Sequence, residues 1–186
     1  MPCLIYNTHG TIVTALGIIL AMPILDEHSM DFFSRSPEQT RRIGARLGGE
    51  LRVGDVILLQ GDLGAGKTTF VQGVARGWGS LDSVSSPTFI IVNEYRRDNG
   101  GRLFHMDAYR LDSAPEAEEL DLDAMLADGA LLLEWPERIG SLVPDEYLWI
   151  QLEHINEEER EMKFKAAGKR YGELLEIIRH TIVGGD

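Results

Sequence analysis

The sequence predicts an α/β fold with a mainly parallel central sheet and an antiparallel edge. Three observations carry this. The runs Val56–Leu59 and Ala130–Leu133 are apolar without interruption, the mark of strands buried on both faces. Helical patterns alternate with such runs, which calls for helices layered on a sheet. The last two strand patterns, 148–152 and 162–166, have no helix between them and therefore pair antiparallel.

The elements follow in chain order. Residues 1–29 stand apart. They hold an apolar run, Ile12 to Leu25, shorter than the ~20 residues of a membrane span and preceded by no Lys or Arg, unlike a signal peptide. They read as a poorly ordered extension or a mis-assigned start, and 30–186 as one domain. Ser36-Pro37-Glu38-Gln39 reads as N-cap, proline at the first helical position and a capping-box glutamine, with Ile43 and Leu47 on one face and Gly48-Gly49 as the stop. After the strand at 56–60 come a glycine-rich loop and a helix from Lys67 to Trp78. Strands are expected at 89–92 and 103–106, with Asn99-Gly100-Gly101 as a hairpin turn. An acidic helix is expected over 117–127, and a closing helix over 171–180.

Composition narrows the function classes. With 186 residues and 44% hydrophobic content, the chain is an ordinary globular domain, not a fibrous or disordered one. Eighteen basic against thirty acidic residues give a net charge of −12, which argues against strong direct binding of nucleic acid. No basic residue falls between Arg110 and Arg138, so that stretch is either a solvated face or a docking surface for a basic partner. The single cysteine, Cys3, has no internal partner, in keeping with a reducing cytoplasm. No membrane association is expected.

The chemistry is concentrated in one motif. Gly61-Asp62-Leu63-Gly64-Ala65-Gly66-Lys67-Thr68 fits G-x-x-x-x-G-K-[ST] at every fixed position, after a strand and before a helix. Glycines at 61, 64 and 66 let the backbone approach a ligand closely and turn successive N–H groups inward as an anion nest. The helix N-terminus adds unpaired N–H groups and its positive dipole end. Lys67 then reaches the β- and γ-phosphates, and the Thr68 hydroxyl can ligate Mg²⁺. Thr69 reads as a helix residue bordering the site. The fold expectation sharpens to a three-layer P-loop NTPase-like domain.

Such a loop needs an acid at the end of another buried strand. Glu134, after Leu131-Leu132-Leu133, and Asp107, after Leu103-Phe104-His105-Met106, both qualify. His105 reads as a packed or hydrogen-bonded residue. Trp135 is either a core anchor or a wall of the nucleotide pocket. Ser86-Pro87-Thr88 is either a turn or a switch that senses the γ-phosphate.

Four segments in this order, GDLGAGKTTF (61–70), SPTF (86–89), HMDAYRL (105–111) and LLEWPERI (132–139), closely resemble the TsaE family, also called YjeE. The resemblance spans roughly 31–180. It implies ATP or ADP at 61–68 and Mg²⁺ held by Thr68 and Glu134. It also implies Asp107 in hydrolysis, Ser86–Thr88 as the switch, and Thr40 where the opening helix nears the nucleotide. It further implies an accessory ATPase acting on a TsaD–TsaB complex that attaches threonylcarbamoyl to adenosine of tRNA, with Lys67, Asp107 and Glu134 as its catalytic set. Two rival readings are a small P-loop kinase with an arginine lid from Arg96, Arg97 and Arg102, and a nucleotide-gated assembly factor in which hydrolysis is incidental. A GTPase is disfavoured, since no Asn-Lys-x-Asp segment is present.

Overall fold

The computed structural model describes residues 5–6, 12–13, 28–84, 91–111, 116 and 118–183. Its main sheet has seven strands. They are β1 (Ser29–Ser34), β2 (Val56–Gln60), β3 (Val92–Arg96), β4 (Arg102–Asp107), β5 (Gly129–Glu134), β6 (Tyr147–His154) and β7 (Arg160–Ala167), in spatial order β1-β7-β6-β2-β5-β4-β3. The four central strands β6, β2, β5 and β4 pair in parallel. Antiparallel strands flank them on both sides, β7 and β1 at the edge expected from the last two strands and β3 at the edge formed by the hairpin.

Helices α1 (Pro37–Glu50), α2 (Lys67–Trp78) and α4 (Lys169–Val183) cover one face. Between them and the sheet lie Ile57, Leu59, Leu132, Leu148 and Ile150, packed with Leu47, Phe70, Val74 and Leu174. The opposite face buries Val56, Leu58, Leu131, Leu133 and Met106 beneath helix α3 (Leu122–Asp128) and the 3₁₀ turns that follow β4 and β5. Successive residues of β2 and β5 point to opposite faces. Both faces are covered, which is why these strands read as unbroken apolar runs.

Local signals set the boundaries with some exceptions. Ser36 caps α1, its side chain accepting from the Gln39 amide at 3.1 Å. Gln39 does not close the box on Ser36; its Oε1 accepts from the Arg35 amide, one residue earlier, at 2.7 Å. The helix runs through Gly48-Gly49 to Glu50. The acidic helix is shorter than expected. Asp121, at φ 48°, breaks it and caps α3 by accepting from the Ala124 amide, the role in which an aspartate outcompetes helix interior. The hairpin turn at 99–101 joins β3 and β4, with β3 starting at Val92 and residues 89–90 outside the described residues. β1 was not expected from the sequence. The leader lies outside the described residues apart from His28, the start of β1 at Ser29, and a short antiparallel pairing of Ile5–Tyr6 with Ile12–Val13.

Helix α2, which begins at the glycine-rich loop, is seated on α1 by glycines. A Cβ at Gly44 would lie 2.4 Å from the Phe70 carbonyl oxygen, and one at Gly48 2.0 Å from that of Val74. Reciprocally, a Cβ at Gly73 would lie 2.1 Å from the Arg41 carbonyl and one at Gly77 1.9 Å from that of Ala45. Two G-x-x-x-G faces thus interlock backbone to backbone. Gly73→Ala is expected to destabilise the fold by about 2–3 kcal/mol, the cost of overpacking a site that cannot give. Gly49 sits on the same helix with its nearest neighbour 3.9 Å away, so Gly49→Ala should instead stabilise by ~0.5–1 kcal/mol through helix propensity. Thermal melts of the two variants check the opposite signs.

Candidate active site

Residues 61–66 bridge β2 to α2 at the carboxyl ends of the parallel strands, where open α/β sheets bind ligands. Gly66 is the N-cap of α2 at φ 105°, a left-handed conformation that a side chain would strain. The first turn of α2 therefore opens into the loop with its amides free of side-chain caps. Leu63 stands at the loop tip, 95% exposed.

Three strands deliver the charged groups. Asp107 ends β4 and pairs in register with Glu134, which ends β5; Glu134 lies opposite Leu59 of β2. Together with Leu63, Gly64, Gly66, Lys67, Thr68 and Thr69 these carboxylates line one cleft of about 340 Å³. Trp135, Tyr109 and Arg160 complete its wall.

Lys67 is 6% exposed. Its Nζ donates to the carbonyls of Gly61 at 2.7 Å and Asp62 at 3.1 Å, lies 3.9 Å from Glu134 Oε2, and sits 4.5 Å above the Trp135 ring. Burial lowers its pKa, opposed by the nearby carboxylates of Glu134 and Asp107. Asp107 Oδ1 accepts from the Tyr109 amide at 3.0 Å and so caps the 3₁₀ turn Ala108–Arg110. Burial raises the Asp107 pKa, while the Tyr109 amide pulls the other way. Glu134 is 4% exposed and accepts from His105 Nε2 at 2.8 Å. His105 is thus the buried, hydrogen-bonded residue expected.

Trp135 lies in the left-handed region at φ 58°, a conformation worth about 1 kcal/mol or more of strain for a non-glycine residue. Its amide donates to Leu59 O at 3.2 Å, and the proline-led turn Pro136–Arg138 follows at once. The kink throws the indole into the cleft against Tyr109, ring centroids 5.0 Å apart. Trp135 combines the two roles open for it: it lines the cleft and packs, partly buried, against the core of the second sheet face.

Not every expected residue converges here. Thr40 does not line the cleft; it is 1% exposed, with its hydroxyl 2.7 Å from that of Ser34 and bonded to Ser36 O inside the first turn of α1. Ser86 and Thr88 lie outside the described residues. Arg96, Arg97 and Arg102 belong to the β3–β4 hairpin. Arg97 stacks 3.7 Å over Trp78, Arg96 pairs with Glu94, and Arg102 pairs with Asp128. Two cleft residues had no sequence signal of their own. Arg160, at the start of β7, lies far along the chain in no motif, yet its side chain lies against Gly66. Tyr109 lies inside the HMDAYRL segment, which was the available clue.

The donor set around Thr68 suits a hard cation such as Mg²⁺: a hydroxyl and two carboxylates on one cleft. Among the described residues no three His, Cys, Asp or Glu side chains cluster to hold a metal unaided. Among the same residues no helix is long and apolar enough to cross a membrane.

Comparison with known proteins identifies the family and the fold. Residues 34–162 match the family model described as threonylcarbamoyl adenosine biosynthesis protein TsaE. A Bacillus subtilis protein of that name is 43% identical over 147 residues, covering 78% of this chain and 91% of its own length. A Synechocystis relative is 45% identical over 124 residues, 63% of this chain and 77% of its own. The crystal structure of Bacillus subtilis YdiB superposes with a TM-score of 0.69 at 35% identity, covering 83% of this chain and 96% of that one. With the family model matched over most of its length, and the fold matched by a solved structure, this chain belongs to the TsaE family.

Proposed function

We propose that this chain is an accessory ATPase of tRNA threonylcarbamoyladenosine biosynthesis, working in the cytoplasm on a TsaD–TsaB complex. The observation that carries the reading is the convergence of Lys67, Asp107 and Glu134 on the loop at 61–68. The names of the relatives support the pathway. ATP or ADP sits with its phosphates over the loop amides and the first turn of α2. Lys67 swings from the Gly61 and Asp62 carbonyls to the β- and γ-phosphates. Thr68 and Glu134 would hold Mg²⁺, which when bound would neutralise phosphate charge. Asp107 accepts a proton from the attacking water as the bond from the γ-phosphorus to the bridging oxygen breaks. Its raised pKa makes it a stronger base than an exposed aspartate.

Leu63 and Tyr109, exposed at the cleft mouth, fit a site completed by a protein partner. Basal turnover is then slow and rises when the TsaD–TsaB pair is added. The kinase reading is weakened because its lid arginines are engaged on the hairpin. Phosphate release from ATP and from GTP, with Mg²⁺, alone and with the pair, is the test. ATP-selective turnover stimulated by the pair supports the proposal. Unstimulated binding without turnover favours a nucleotide-gated assembly factor.

Lys67→Ala should weaken ATP binding at least tenfold, since one charge-assisted contact is worth about 1.5–3 kcal/mol; titration calorimetry reads this directly. Asp107→Asn should cut hydrolysis by about a hundredfold or more while nucleotide still binds.

Asp107 also carries a stability signature. Burial raises its folded-state pKa above 3.8, so the folded chain holds that proton more tightly than the unfolded chain. Stability contributed by this group falls as pH rises from about 3.8 through the raised value. Asp107→Asn keeps an acceptor for the Tyr109 amide and should raise the melting temperature at pH 7. The gain should vanish below pH 3.8, where the wild-type carboxyl is protonated in both states.

A further inference from the structure

A line of polar side chains crosses the sheet beneath the cleft. Tyr95 lies opposite Leu103, and its hydroxyl is 3.3 Å from His105 Nδ1, two residues further along β4. His105 lies opposite Leu132, and its Nε2 is 2.8 Å from Oε1 of Glu134, two residues further along β5. Each step moves one strand across and two residues toward the carboxyl ends. The line therefore stays on one face and ends in the cleft.

Its surroundings give packing no reason for an imidazole. His105 is completely buried between Leu103 and Leu132, both also completely buried. An aliphatic residue would fill that layer without a desolvation cost. The imidazole is tolerated because both nitrogens have partners. The proton arrangement follows from the partners. The Glu134 carboxylate can only accept, so Nε2 carries the hydrogen. Nδ1 faces the Tyr95 hydroxyl, whose proton can be donated to it. Burial, with the Glu134 charge adding to it, pushes the Tyr95 pKa up to about 12, which keeps that proton in place.

We infer that His105 and Tyr95 are positioning residues that fix the Glu134 carboxylate, binding Oε1 from below so that Oε2 stays turned toward Lys67 and the cation position. Oε2 lies 3.9 Å from Lys67 Nζ, on the cleft side. A carboxylate free to rotate would offer its oxygens to the cation in many orientations. One clamped at Oε1 offers a single oxygen in a single direction. The inference rests on the nucleotide and Mg²⁺ reading above.

The test is the dissociation constant of a fluorescent ADP analogue, measured with Mg²⁺ and with EDTA, so that no turnover enters. In His105→Leu the tightening produced by Mg²⁺ should fall about tenfold, as it does when a partner of a metal ligand is lost. The EDTA value should stay within about twofold, because the loop amides are untouched. His105→Gln restores a donor toward Oε1 and should recover most of the loss. Tyr95→Phe removes one oxygen and should cost about threefold in the Mg²⁺-dependent part alone. It also guards against a His105→Leu chain that fails to fold. Wild-type Mg²⁺ dependence in Tyr95→Phe, or in folded His105→Leu, overturns the inference while leaving the nucleotide reading intact. A wild-type chain whose ADP affinity ignores Mg²⁺ overturns the Mg²⁺ reading and the inference with it, and one that binds no ADP overturns the nucleotide reading as well.

Discussion

Asp107 stands directly across from Glu134, and Glu134 across from Leu59, because β4, β5 and β2 pair in parallel register. That register places two carboxylates level with the start of the glycine-rich loop. A slip of one residue in β5 would turn Glu134 to the opposite face and bring Leu133 to the cleft. The slip is blocked by the core. Leu131 and Leu133 fill the face under α3, and Leu132 fills the face under α2. The geometry of the cleft is thus a by-product of three buried leucines that need both sheet faces.

The cleft holds charge that the core would not otherwise accept. An ammonium at 6% exposure and a carboxylate at 4% are costly to desolvate, and a pair of this kind seldom repays the cost by attraction alone. Here the cost is spread. Lys67 gains two backbone carbonyls and an aromatic face, and Glu134 gains an imidazole N–H. Each added partner lowers the penalty. The opposed pressures on Lys67 and Asp107 have one physical origin, exclusion of water from the mouths of the strands.

What the sequence made legible, and what it hid, divides along physical lines. β2, the loop and α2 were readable because each is specified locally, by an unbroken apolar run, by glycines and by the Lys-Thr at the helix start. Glu134 and Asp107 were readable because an acid after a buried strand has few places to go. β1 was not, because an edge strand with its Ser, Asp and Phe residues lacks a continuous apolar run. The α1–α2 interlock was missed because isolated helix glycines look like weak points until a facing helix supplies the reason for them. Arg160 depends on β7 folding back beside the loop, a long-range fact with no local trace. Thr40 is a different case. Its place on the helix was right, but a hydroxyl in the first turn has backbone and Ser34 partners nearer than the cleft.

The glycine interlock also bears on the site. α2 carries Lys67, Thr68 and Thr69 at its first turn, and any shift of that helix moves all three relative to Asp107 and Glu134, which are fixed in the sheet. Side-chain contacts between helices would permit small sliding motions as rotamers change. Backbone-to-backbone seating at Gly44, Gly48, Gly73 and Gly77 does not, since the contacting atoms have no torsional freedom. α1 is in turn tied to the rest by Arg170 of α4, which donates to Glu50 O and to both oxygens of Asp55, just before β2. Among the described residues at the cleft, Leu63 at the loop tip is 95% exposed, while Lys67 is held by the Gly61 and Asp62 carbonyls. The glycine interlock and the Arg170 contacts together fix the helix that carries Lys67, Thr68 and Thr69 against the strands that carry Asp107 and Glu134.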